Sequence, residues 1–381
     1  MKPLEGYLVL DFCQYLSGPY AALRLADFGA HVWKVENPEG GDLYRSLNIS
    51  NLRIDGDQPI FHAANRGKES LAVDLKDAAQ RPMLEKLIGK ADVMLVNYRP
   101  GVAKRLGLDY ETVRALNPGI VYGSISGYGA EGPWASRSGQ DLLAQSVSGL
   151  PFLNGNQNQP PLPMGVGVTD IVSGEQLVQG VLSGLYRKAV SGEGACVEVS
   201  LLEAALDIQF EGLTAFLNDG ELPVRSAVHN ANPYIGAPYG IYSTKNGYLA
   251  IAMTPIPGLG ELLDCPALLA YQDSASWSDK RDEIKAILVG HLLGETTEHW
   301  LSLLEPADIW CANVQNWDQL LQTEGYRVLG MEQDAITGNG VPVRTLRCPI
   351  RIDGERYYNA KGAPKLGEHD AVYLDQVLRQ E

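Results

Sequence analysis

The sequence predicts an α/β protein with one large parallel-sheet domain and a smaller α+β domain. Three observations carry that prediction. Strand-like and helix-like stretches alternate through the first third of the chain, and an Asn-, Pro- and Gly-rich segment from Asn218 to Tyr239 precedes fresh strand patterns. The composition, 45% hydrophobic and 20% charged over 381 residues, suits folded domains with sizeable cores.

Tyr7 to Phe12 reads as a buried strand, a helical pattern runs from Pro19 to Phe28, Gly29 fits the helix C′ position, and His31 to Glu36 reads as the next strand. That is a βαβ unit. The alternation continues with Ser70–Leu75 as strand, Ala78–Leu87 as helix, Asp92–Asn97 as strand, Tyr110–Leu116 as helix and Ile120–Ser126 as strand. The organisation is Rossmann-like, yet the first turn, Cys-Gln-Tyr-Leu-Ser-Gly-Pro, lacks Gly-x-Gly-x-x-Gly, and no phosphate-loop motif occurs elsewhere. Nicotinamide chemistry and NTP hydrolysis therefore have no motif behind them.

Further on, a long helical pattern ends near Ala189, Cys196–Ser200 reads as strand, and Leu202–Leu217 as one amphipathic helix. Gly240–Tyr242 and Tyr248–Met253 open the smaller α+β unit. The tail holds short strand-like pieces and a last helix near Ala371 to Leu378.

The formal net charge of −15, from 31 basic and 46 acidic residues, argues against nucleic acid or an anionic membrane as partner. The first residues have no apolar signal core and no run approaches a membrane span, so a cytoplasmic location is expected. Five scattered cysteines read as reduced thiols, and six dispersed histidines without helical zinc spacing predict no metal.

The chemistry is expected in Met164–Gly174, where Gly165 and Gly167 precede Asp170 at the start of the long helix. Aspartate is a preferred N-cap, so capping is one role for Asp170. The other is nucleophilic: glycines let a ligand approach the backbone, and helix-end amides stabilise charge. Strand ends bring Tyr15, Asn37, Asn97, Tyr98 and Arg99 towards one crevice, with Arg66, Lys68, Lys76, Lys104 and Arg105 as a basic cluster suited to a phosphate-bearing ligand. A glycine loop, Gly127–Pro133, contains Gly129 and leads to Gly139-Gln140-Asp141. Asp141 stands at a helix start where capping is again the default, and the loop could close over a reactive intermediate. His369, near the chain end, reads as solvated or capping.

Taken in order, Asp11-Phe12 with Gly18-Pro19, Val35-Glu36-Asn37-Pro38, Asn65-Arg66-Gly67-Lys68, Val73-Asp74-Leu75-Lys76, Asn97-Tyr98-Arg99-Pro100-Gly101, Ser126-Gly127-Tyr128-Gly129, the Asp170 stretch and Pro364–His369 resemble the family III CoA-transferases, the CaiB/BaiF family. The resemblance implies an interlocked homodimer in which each subunit has a Rossmann-like large domain (1–200), a linker (201–227), a small α+β domain (228–316) and a return segment (317–381). It implies coenzyme A and acyl-CoA as substrates with no tightly bound cofactor, and a small carboxylic acid as acceptor. Asp170 becomes the nucleophile, ionised at neutral pH with an ordinary carboxylate pKa, alternating between mixed anhydrides and an aspartyl-CoA thioester. CoA contacts are implied at Tyr15, Val73, Asn97, Tyr98 and Arg105, with Arg137 nearby. Formyl-CoA transferases carry an arginine where this chain has Asn37, and Arg66 is the candidate to take its place.

A racemase of the same family is the nearest rival, but it needs a histidine base immediately before the Asp141 position. Gln140 stands there, and an amide accepts no proton as a base. A non-catalytic acyl-CoA binding module is the alternative from another class.

Overall fold

The computed structural model describes residues 2–372. Its central sheet is built from β1 (Leu8–Asp11), β2 (His31–Glu36), β3 (Glu69–Ala72), β4 (Val93–Val96), β5 (Val121–Ser126) and β6 (Ala195–Ser200), all parallel, in the order β3-β2-β1-β4-β5-β6. This is the doubly wound order, and its crevice lies where the winding reverses, between β1 and β4. The α/β expectation for the large unit is met.

Successive strand residues point to opposite faces, so each strand feeds two cores. Val9, Val32, Leu95 and Val121 join Ala21, Leu25, Leu177, Val181 and Leu185 on one face. Leu10, Trp33, Leu71, Met94 and Tyr122 join Leu84, Leu87, Ile88 and Val113 on the other. The first face is covered by α1 (Ser17–Asp27) and by the 24-residue helix Val168–Ser191; the second by Arg81–Lys90 and Tyr110–Leu116. Helix 81–90 starts later than its apolar pattern suggests, because turns at Asp77 to Arg81 occupy the backbone first.

The edge of β3 is sealed by the tail. Gly367 donates to Ser70 Oγ, His369 N–H to the Ser70 carbonyl, and Ala72 N–H to Asp370. Covering an edge strand removes a template for aggregation. His369 thus serves the sheet edge, and burial holds its pKa below the ordinary value. The helix expected over 371–378 lies largely outside the described residues.

Residues 2–144, 167–208 and 329–372 form the first compact unit, and 145–166 with 209–328 form the second. Within the second, Gly240–Ser243, Tyr248–Ile251 and Cys311–Asn313 make an antiparallel sheet. Tyr242, Leu249 and Ile251 pack against Leu259, Ile284, Leu288, Trp300 and Leu304. Segment 145–166 is held there by Arg225, which donates to the carbonyls of Asn154 and Gln159 at 2.5 and 2.6 Å. The helix expected over Leu202–Leu217 is two helices, Leu201–Asp207 and Phe210–Asp219, because Gln209 leaves helical backbone at ψ 10°.

Among the described residues, no helix is long and apolar enough to cross a membrane, and no group of three or more His, Cys, Asp and Glu side chains could hold a metal ion.

Candidate active site

Asp170 does not cap its helix. Gly167 holds the N-cap position, which puts Asp170 third in the helix. The cap comes from elsewhere: Asp141 Oδ1 accepts the Thr169 N–H at 2.7 Å and the Thr169 hydroxyl at 2.8 Å. Asp141 therefore caps a helix other than the one it begins, Asp141–Ser148.

Freed from capping, the Asp170 carboxylate stands partly buried with a second carboxylate beside it. Burial first, then the Asp141 charge, push its pKa up to about 7, while the nearby Ser17 hydroxyl pulls the other way. A first-turn acid ordinarily gains from the helix dipole. Here burial and like charge outweigh that gain, so the ordinary carboxylate pKa expected from the sequence is corrected.

α1 lies close against the helix of Asp170. A Cβ on Gly174 would sit 2.8 Å from the Ser17 carbonyl oxygen. Gly167 makes room for Leu16: a Cβ there would lie 3.0 Å from the Leu16 side chain, and 3.7 Å from Asp170 Oδ2.

Tyr15, Asn37, Val73 and Asn97-Tyr98 all follow the carboxyl ends of strands, from β1 to β4. At the reversal between β1 and β4, Asn97 accepts the Gln14 N–H at 2.9 Å and donates to the Gln14 carbonyl at 2.7 Å. That clamp fixes the first loop. Tyr15 follows with φ 64°, a left-handed conformation that a tyrosine adopts only when its surroundings impose it. The imposing group is Asp42, whose Oδ1 accepts the N–H groups of both Tyr15 and Tyr44 at 3.0 Å. Lys34, buried, pairs with Asp42 at 2.8 Å.

The Tyr15 and Tyr44 rings meet edge to face at 5.7 Å. Burial and the charges of Asp170, Asp42 and Asp141 push the Tyr44 phenol up to about 12, so it stays a neutral donor. Sequence reasoning missed Ser17, Asp42 and Tyr44. A left-handed residue is invisible in a sequence, and nothing in a Gly-Asp-Leu-Tyr run marks its tyrosine as facing an aspartate.

Arg66 is not placed for a ligand. It is 1% exposed, its guanidinium pairs with both Asp27 oxygens at 2.5 and 3.0 Å, and its Nε donates to the Leu346 carbonyl. The expected CoA contact at Arg66 is corrected on that ground: the fork is saturated inside the protein. Lys68 also leaves the basic cluster, donating to Asp11, Asn65 and the Pro19 carbonyl, each at 2.8 Å. Burial and Lys34 lower its pKa to about 8, against the opposing pull of Asp11.

The other positions are mixed. Val73 is buried, with its N–H bonded to the Glu36 carbonyl. Tyr98 is half-buried, and burial raises its phenol. Asn37, exposed, accepts the Glu39 N–H. Arg105 is exposed at the end of the short helix Val102–Arg105. The glycine loop is pinched at its neck, where a Cβ on Gly127 would lie 2.5 Å from Gly139 Cα. Gly129 turns at φ 88° within it, and Gln140 is exposed at its end. Arg137, on the same loop, stacks 5.1 Å over the ring of Trp134.

The sequence profile of CoA-transferase family III matches residues 4–370. A succinate–glutarate CoA-transferase of Agrobacterium fabrum is 31% identical, covering 98% of this chain and 96% of its own. An acetyl-CoA:oxalate CoA-transferase of Acetobacter aceti is 31% identical over 100% of this chain and 97% of its own. The crystal structure of a CaiB/BaiF family protein from Brucella suis superposes with a TM-score of 0.86 at 30% identity, covering 99% of both chains.

Proposed function

The chain belongs to the family III CoA-transferases, and from that premise we propose that it moves CoA from an acyl-CoA thioester to a free carboxylic acid with Asp170 as the covalent carrier. The single observation that carries the reading is the Asp170 carboxylate: partly buried in the first turn of its helix, beside Asp141, with its pKa pushed up to about 7. A carboxylate of raised pKa is a stronger nucleophile once ionised, and near neutral pH a usable fraction of it is ionised.

An ionised Asp170 oxygen attacks the thioester carbonyl carbon. The C–S bond breaks, CoA thiolate leaves, and an aspartyl–acyl mixed anhydride remains. Thiolate then attacks the aspartyl carbon, releasing the donor acid and forming aspartyl-CoA. The acceptor carboxylate displaces that thiolate to give a second anhydride, and thiolate attack on the acceptor's carbonyl releases the new acyl-CoA and regenerates Asp170. No net proton is consumed. Water has to be kept out because an anhydride hydrolyses, and the loop pinched at Gly127 and Gly139 is the candidate cover.

The CoA moiety is assigned to the strand-end row of Tyr15, Asn37, Asn97 and Tyr98, with Arg105 and Arg137 as its exposed cations. The two named relatives act with succinate, glutarate and oxalate, so small di-acids are the acceptor class to try first. The proposed working unit is a cytoplasmic homodimer with large and small domains.

The test is a panel of acyl-CoA donors and free acids with wild type and Asp170→Asn, read by mass spectrometry for CoA exchange. Exchange by wild type that is lost in a folded Asp170→Asn variant supports the carrier. An unchanged variant contradicts it, and α-carbon hydrogen exchange without CoA exchange would restore the racemase.

A further inference from the structure

We propose that Asp42, aimed by Lys34, is a positioning residue for CoA binding: it holds the Tyr15 backbone in its left-handed conformation and so sets where the Tyr15 ring stands at the crevice. The proposal rests on the assignment of Tyr15 to the CoA row.

The backbone from Cys13 to Tyr15 is gripped by side chains from four places. Asp11 Oδ1 accepts the Cys13 N–H at 3.0 Å, and Lys34 Nζ donates to the Cys13 carbonyl at 2.8 Å. Asn97 takes both backbone polar groups of Gln14, and Asp42 Oδ1 takes the Tyr15 N–H at 3.0 Å. These side chains come from the end of β1, the middle of β2, the residue after β4 and the loop after β2. Of the four, Asp42 is the one that reaches Tyr15, whose φ of 64° is costly for a tyrosine.

Asp42 is itself fixed. It is 1% exposed, its own N–H donates to Glu36 Oε2 at 2.9 Å, and Glu36 is held in turn by the Arg45 guanidinium at 2.8 Å. The fully buried Lys34 lies 2.8 Å from Asp42 Oδ2, by charge rather than through an aligned hydrogen bond. With that oxygen drawn to the cation, Oδ1 is left to the N–H groups of Tyr15 and Tyr44, each at 3.0 Å. One carboxylate thus sets two aromatic residues, whose rings meet edge to face at 5.7 Å while Tyr15 stays 45% exposed. Once Asp42 is removed, the Tyr15 backbone is free to relax to negative φ, and the ring moves with it. A side chain ordered before its ligand arrives spares binding that ordering cost, so the device acts on affinity.

The experiment is a double-mutant cycle on the affinity for coenzyme A itself, by titration calorimetry, with Tyr15→Ala, Asp42→Ala and the pair, and thermal unfolding of each. Each single variant is expected to weaken CoA about ten-fold, and the double variant also by about ten-fold, because Asp42 then has no ring left to position. Loss of a cap or of fold stability alone would not couple to the Tyr15 ring in this way. Asp42→Asn is the second variant, for use if the alanine protein does not fold: Lys34 draws its amide oxygen, its NH2 group then faces the two backbone N–H groups, and affinity should fall as for alanine. A double variant weakened by about a hundred-fold, the product of the singles, overturns the Asp42 role and leaves Tyr15 in the CoA row, as does a folded Asp42 variant that binds CoA like wild type. Wild-type affinity in Tyr15→Ala removes Tyr15 from the row and the proposal with it. A wild-type protein that binds no CoA overturns the CoA reading as well.

Discussion

Asp141 offers one oxygen to both the backbone N–H and the hydroxyl of Thr169, at 2.7 and 2.8 Å, and so caps from outside the helix that carries Asp170. The arrangement does two things at once. It satisfies a helix start, and it stations a fixed negative charge beside the Asp170 carboxylate. Asp141→Asn keeps the shape and removes the charge, so the acid limb of transfer should move to lower pH. Asp141→Ala should in addition lose about 1 kcal/mol of stability with the cap, measurable by urea unfolding.

Transfer should rise with pH through about 7, following ionisation of Asp170. A flat profile across neutrality, with chemistry shown to limit kcat, would contradict the raised pKa.

Asp170 should also cost stability. Its folded pKa of about 7 lies above the unfolded value of 3.8, the reverse of a salt-bridged aspartate. Within that window the folded state binds the extra proton, so stability falls as pH rises from the lower value to the upper. Asp170→Asn should therefore raise Tm at pH values above the folded pKa, and the gain should shrink on acidification towards the unfolded pKa. A variant destabilised equally at both ends would refute the sign.

Gly174→Val should push α1 away from its neighbour, at a cost of about 2 kcal/mol, and should depress transfer more than the stability loss alone explains. Denaturant melts beside kcat measurements separate the two effects.

Arg66→Met breaks a buried ion pair and strands Asp27 with Arg24 alone, so about 3 kcal/mol of stability should go. Its acyl-CoA KM should hold steady. A large rise in KM in the folded variant would return Arg66 to the CoA site.

Much of the sheet was legible because strands buried on both faces leave continuous apolar runs, as in Val93–Val96, and because Gly29 ends a helix visibly. The break at Gln209 was not, since the leucine pattern runs through it unchanged. Charge counting misread Arg66 and Lys68, because a basic residue that pairs inside the core looks the same in sequence as one awaiting a phosphate. Asp170 was found and its local role misjudged: the cap that frees it comes from Asp141, which only the fold brings near.

The most direct measurement gives the enzyme an acceptor acid labelled with heavy oxygen in its carboxylate, allows several turnovers with acyl-CoA, and sequences the Asp170 peptide by mass spectrometry. Each turnover through two anhydrides leaves one acceptor oxygen on the carrier, so the label should appear in the Asp170 carboxylate and in no other residue of the protein. Efficient CoA transfer with an unlabelled Asp170 would contradict its role as the covalent carrier.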